Sequence, residues 1–146
     1  MPRKKLIRTN ELPYHVTIRS NNKDWFELPM ETMWFITQKS ISYAQFRNPV
    51  SMDIFVLMQN HYHIILRTPN SDIDRFMFHL NTKLSKEIRN RTGRINRIFG
   101  DRYHWELIDN NFYYENALRY VAENPVRAGL VESYEKYPFH IINRNF

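Results

Sequence analysis

The sequence predicts an α+β protein built as a ferredoxin-like, split-βαβ (RRM-like) antiparallel sheet, with helices on one face and an added C-terminal helix that carries a tyrosine. Three observations predict it. The elements read in the order β-α-β-β-α-β-α along the chain. The two central strand runs are near neighbours and form one hairpin. No repeat, Gly/Ser linker or low-complexity tract divides the chain, so residues 1–146 read as a single domain.

The elements follow from local chemistry. Tyr14 to Ser20 is rich in β-branched and aromatic residues and runs into the turn signal Ser20-Asn21-Asn22, which marks the first strand. From Glu31 to Phe46, Met33, Trp34, Ile36, Ile41 and Phe46 fall at helical spacing, and Asn48-Pro49 closes the helix. Val50 to Gln59 and His61 to Arg67 are apolar runs suited to central strands, joined by a tight turn at Asn60. Ile73, Phe76, Met77, Leu80, Leu84 and Ile88 form one apolar stripe, predicting a second helix capped by Ser71 with Asp74 and stopped at Gly93. Tyr103 to Ile108 reads as the fourth strand. Asn111 to Glu123 reads as the last helix, ended by Asn124-Pro125.

Composition narrows the partners. With 21 Lys+Arg against 15 Asp+Glu the net charge is +6, which asks for an anion such as nucleic acid. The absence of cysteine excludes disulfides, thiolate metal sites and thiol nucleophiles. No apolar run approaches bilayer length and no signal-peptide core follows the basic opening, so a cytoplasmic protein with no membrane contact is expected. Lys83, Lys86, Arg89, Arg91, Arg94 and Arg97 line the polar face and exit of the second helix, and with Arg102 and Arg119 they are the candidate phosphate contacts. Arg3, Lys4, Lys5 and Arg8 read as a flexible arm able to track a DNA backbone.

The most chemical local feature is His61-Tyr62-His63. Alternation along a strand puts both imidazoles on one face and Tyr62 on the other, a placement suited to a divalent cation, although the spacing alone favours two buried, hydrogen-bonded histidines. Tyr120 and Asn124 stand four residues apart and share a helical face. Two histidines on a strand, with a tyrosine and an amide on a helix, suit phosphoryl transfer on a nucleic acid. His61, His63 and the Asn124 oxygen would hold the metal, and Tyr120 would be the nucleophile.

Met58-Gln59-Asn60-His61-Tyr62-His63-Ile64-Ile65-Leu66 resembles the His-hydrophobic-His signature of the single-tyrosine HUH transposases. Arg119-Tyr120-Val121-Ala122-Glu123-Asn124-Pro125-Val126-Arg127-Ala128-Gly129-Leu130-Val131 resembles the helix-end motif of their REP-associated branch, and Tyr14 to Arg19 and Gly100 to Tyr103 resemble it too. Gln59 departs from the usual proline of that signature. The resemblance implies a single-strand DNA endonuclease and strand transferase that uses Mg²⁺ or Mn²⁺. Its substrate would be single-stranded or hairpin DNA, joined to the protein through a 5′-phosphotyrosine that leaves a free 3′-hydroxyl. It favours a monomer and leaves open the helix-exchanging dimer of insertion-sequence relatives.

Other readings compete. Tyr113 and Tyr114 are alternative nucleophiles lacking a ligand four residues on, and His15 reads as an edge or core histidine. A non-catalytic or domesticated single-stranded or hairpin DNA-binding protein is the alternative function. An RRM-type binder would need a glycine-containing aromatic string that Tyr62 to Leu66 does not supply. A His-x-His-x-His hydrolase fails because the third alternating position is Ile65.

Overall fold

The computed structural model describes residues 4–144. Strands β1 (Tyr14–Arg19), β2 (Ser51–Leu57), β3 (His61–Arg67), β4 (His104–Leu107) and β5 (His140–Ile142) form one sheet in the order β4-β1-β3-β2-β5. Every neighbouring pair is antiparallel. Helix α1 (Met30–Arg47) carries the chain from β1 to β2 and leaves a gap that β3 fills, which is the split-βαβ arrangement. Helix α2 (Ile73–Thr92) then leads to β4 on the far edge, and α3 (Asn111–Ala122) and the short α4 (Asn124–Arg127) follow.

Strand alternation divides the core in two. Tyr14, Val16 and Ile18 of β1, Phe55 and Leu57 of β2, and Tyr62, Ile64 and Leu66 of β3 point to one face. There they pack against Met33, Ile36, Ile41 and Ala44 of α1 and the α2 stripe from Ile73 to Ile88. Ile54, Val56 and Ile65 point to the opposite face and pack under Ala117, Leu118, Val121 and Ala122 of α3. Thus α1 and α2 share one face, and the added tyrosine-bearing helix closes part of the other. That second face is covered over β2 and β3, while Arg19 at the end of β1 and His104 and Glu106 of β4 stay exposed.

Four local expectations need revision. Ser71 does not cap α2: it takes a left-handed φ of 53° and its N–H donates to Thr68 O at 3.0 Å. Asp72 holds the cap position instead, but its carboxylate accepts from Asn48 Nδ2 at 2.8 Å, tying the end of α1 to the start of α2. The last helix does not simply stop at Asn124-Pro125. It breaks after Ala122, and Pro125, which has no N–H to give, sits in the first turn of α4. Strand β5 was not foreseen: it has three residues, too short for a readable period, and is fixed by pairing Ile54↔Ile142 and Val56↔His140. The basic arm is not free along its described length. Lys4 Nζ bonds Trp105 O at 2.8 Å and Arg8 reaches Asp74 at 3.0 Å, while Arg3 lies outside the described residues. Gly93, by contrast, ends α2 as expected, with φ 71° and its N–H on Arg89 O.

Candidate active site

The register of the sheet builds the site. Thr17 pairs with His63 and His15 with Ile65, so His15, His61 and His63 emerge on the face that α3 partly covers. Tyr62, between the two histidines, is buried on the other face against Phe55, as alternation requires. The rings of His61 and His63 lie 5.2 Å apart, and His15 lies edge to edge with His63, nearly coplanar, with centroids 5.2 Å apart at 24°.

The α3–α4 segment brings the remaining groups. Tyr120 sets its ring 6.4 Å from His15 and 6.2 Å from His63, edge to face with both, and keeps 52% of its surface exposed. Asn124 Nδ2 lies 3.1 Å from His63 Nε2. The other α3 tyrosines turn elsewhere: Tyr114 donates to Asp53, and Tyr113 packs against the second core. Of the three candidate nucleophiles, Tyr120 is the one at the histidines.

Burial sets the ionisation of the imidazoles. It pushes His63 down to about 3, with the neighbouring His15, His61, Arg127 and Arg19 acting in the same direction. Burial, then Arg19, pushes His61 down to about 4, and burial lowers His15 as well. All three rings are therefore neutral at physiological pH, the state in which imidazole nitrogens bind cations. His61 Nδ1–H donates to Asn60 Oδ1 at 2.8 Å, which leaves Nε2 with its lone pair.

This donor set fits a divalent cation. Among the described residues no cluster of three His, Asp or Glu side chains able to hold a metal occurs, and the Asn124 carboxamide beside His63 is the donor that would complete a set with His61 and His63. A half-turn of that amide exchanges Nδ2 for Oδ1 beside His63 Nε2, and nitrogen and oxygen together suit hard or borderline ions.

Arg127, absent from the candidates drawn from the sequence, stands over the Tyr120 ring at 4.0 Å and donates to the Tyr120 carbonyl at 2.6 Å. Only the i+7 spacing hinted at this, since residues seven apart in a helix share a face. The basic candidates separate. Arg102 lines a cleft of about 270 Å³ with Thr17, Arg19 and His104 beside the open part of the site face. Arg119 is exposed on α3 next to Tyr120. Lys83, Lys86, Arg89 and Arg91 ride α2, which packs on the face away from the histidines. Lys83 and Arg91, joined by Lys39, surround the buried Glu87. Arg94 folds onto its own loop through Asn96 and the Arg97 carbonyl, and Arg97 is exposed.

Paired imidazoles on the centre of a split-βαβ sheet, faced by a tyrosine and an amide from a separate helix, define the class of two-histidine, single-tyrosine transposase domains. The chain belongs to the IS200-like transposase family, whose model matches residues 8–124. That family is typically catalytic and metal-dependent. Among solved structures, the chain is similar to a REP-associated tyrosine transposase bound to a REP hairpin, with 20% identity, a TM-score of 0.77, and coverage of 96% of this chain and 82% of that one. It is also similar to a Deinococcus radiodurans protein assigned as a transposase, with 12% identity, a TM-score of 0.53, and coverage of 85% and 95%. At these identities the likeness is one of fold. No curated protein matches the sequence. Among the described residues no helix is long and apolar enough to cross a membrane.

Proposed function

We propose that the chain is a metal-dependent single-strand DNA endonuclease and strand transferase that acts at DNA hairpins through a covalent 5′-phosphotyrosine on Tyr120. The observation that carries this reading is the convergence of Tyr120, His61, His63 and Asn124, from two separated stretches of sequence, at one point of the sheet. The hairpin-bound relative supports hairpin DNA as the substrate.

The chemistry follows from the groups. Tyr120 Oη attacks the scissile phosphorus, the bond to the 3′-oxygen breaks, and the strand ends as a free 3′-hydroxyl while the 5′-phosphate stays on the tyrosine. A 3′-hydroxyl then attacks the same phosphorus and releases Tyr120, so rejoining needs no external energy. The guanidinium of Arg127, over the ring and bonded to the Tyr120 carbonyl, holds Tyr120 in place beside the histidines. His61, His63 and Asn124 would hold the cation, Mg²⁺ or Mn²⁺. Bound there, it would polarise the phosphate and neutralise charge that develops on it. Arg19 and Arg102, beside the open part of the site face, are placed to receive backbone phosphates. Because α3 packs on its own sheet through Ala117, Leu118, Val121 and Ala122, Tyr120 serves the histidines of its own chain, which supports a monomer acting in cis.

The test is adduct formation. The full chain, incubated with a labelled single-stranded hairpin library and Mn²⁺, is expected to give a denaturation-resistant protein–DNA adduct. EDTA or Tyr120→Phe removes the adduct, while Tyr120→Phe still binds DNA. An adduct in Tyr120→Phe overturns the nucleophile, and hairpin binding by wild type without any adduct makes the chain a non-catalytic hairpin binder.

A further inference from the structure

We propose that His15 is a positioning residue of the cation site. It accepts the Nδ1 proton of His63 and thereby holds His63 in the tautomer whose Nε2 lone pair faces Asn124. The proposal rests on the reading of His61, His63 and Asn124 as cation ligands.

A neutral imidazole carries one proton, and the partner of one ring nitrogen decides which nitrogen keeps it. Cation binding at His63 Nε2 needs the proton on Nδ1, and a buried N–H needs an acceptor. Among the described residues, His15 Nε2 is the partner of that nitrogen, at 3.0 Å. The direction of the bond follows from the other end of the ring: the Asn124 amide donates to His63 Nε2 at 3.1 Å, so Nε2 carries the lone pair and Nδ1 the proton. His15 then accepts through Nε2 and keeps its own proton on Nδ1.

The backbone makes the arrangement rigid. β1 and β3 are directly paired, and the register sets His15 diagonally across from His63 on the shared face. The near-coplanar, edge-to-edge fit of the two rings and the edge of Tyr120 against both restrict rotation. His61 has a separate orienting partner in Asn60, so each imidazole of the pair is fixed from a different place in the fold. A neutral acceptor also orients His63 without adding a negative charge beside the phosphate that the site would receive.

The experiment compares wild type, His15→Phe, His15→Gln and His63→Ala as full chains. His15→Phe keeps a ring but removes the acceptor. His15→Gln restores an oxygen near the position of Nε2. Side-chain nitrogen NMR of the cation-free protein reads the His63 tautomer, and calorimetry without DNA reads Mn²⁺ affinity. Wild type is expected to show the proton on His63 Nδ1. We expect His15→Phe to mix the tautomers and weaken Mn²⁺ binding about 10- to 100-fold, and His15→Gln to stay within about threefold of wild type. A His63 proton on Nε2 in wild type overturns the proposal without any variant. So does His15→Phe with unchanged tautomer and affinity when His63→Ala has lost binding. Equal Mn²⁺ binding by wild type and His63→Ala overturns instead the ligand reading on which the proposal rests.

Discussion

The Tyr114 hydroxyl of α3 donates to the Asp53 carboxylate of β2, a side chain only 2% exposed that also faces Arg67 at 3.6 Å and Arg144 at 3.3 Å. The bond fastens the helix that carries Tyr120 to the sheet that carries the histidines. Tyr114→Phe is expected to lower stability by about 1.5–3 kcal/mol, the range for a hydrogen bond to a charged group. Asp53→Ala should cost at least as much, because it leaves the Tyr114 hydroxyl without its acceptor and removes the carboxylate that Arg67 and Arg144 face. Urea denaturation at neutral pH measures both.

A helix fastened to its own sheet also predicts cis action. An equimolar mixture of Tyr120→Phe and His63→Ala should form no adduct with hairpin DNA, because neither chain holds a complete site. Adduct in the mixture would mean that the helix is exchanged between subunits.

Arg127 is exposed, and its side chain meets the Tyr120 carbonyl and ring. Its removal should therefore slow chemistry without unfolding the protein. A cation over an aromatic ring is worth about 0.5–2 kcal/mol, so Arg127→Ala should slow adduct formation by about two- to thirtyfold at neutral pH. Affinity for uncut hairpin should stay unchanged, since Arg127 acts on the Tyr120 ring. A matching loss of hairpin affinity would put Arg127 on the DNA rather than on Tyr120.

Acid should weaken the fold through the same histidines that form the site. Burial, reinforced by neighbouring cationic and imidazole groups, holds His63 at about 3 and His61 at about 4, against 6.5 for an ordinary histidine. The shifts are downward, so below about pH 6.5 the unfolded chain takes up protons that the folded chain refuses. Their stabilising contribution is complete above the unfolded value and is lost as pH falls toward the folded ones. Urea midpoints between pH 7 and pH 4.5 should drop for wild type and change less for a His61→Gln/His63→Gln double variant.

The basic residues should divide in salt titrations of hairpin binding. Against the push of burial, Arg91, Lys39 and Lys83 hold the Glu87 carboxylate at about 2, so Lys83 is committed to the fold. Lys83→Ala should lower the melting temperature and leave the salt dependence of DNA affinity unchanged. Arg102→Ala should weaken binding and reduce the salt slope by about one, the loss of one phosphate contact.

The sequence made some of this legible and hid the rest for physical reasons. β3 spans His61–Arg67 as expected because strand alternation and turn chemistry are local, and the Tyr120–Asn124 spacing was readable because helical faces repeat every few residues. The role of His15 was not readable. It depends on the register of β1 against β3, a pairing between residues 48 positions apart that no local pattern encodes. Lys83 and Arg102 looked alike as basic residues, and only the packing of α2 on the far face separates them. Ser71 had the chemistry of a cap, but its left-handed backbone and the Asn48–Asp72 bond moved the start of the helix.

The break between α3 and α4 falls at Glu123, between Tyr120 and Asn124, and the two halves stay linked by the Arg127 N–H to Glu123 carbonyl bond. Tyr120 and Asn124 therefore share one short stretch of backbone, so under the proposed function any displacement of this segment from the sheet would withdraw the nucleophile and the amide ligand together.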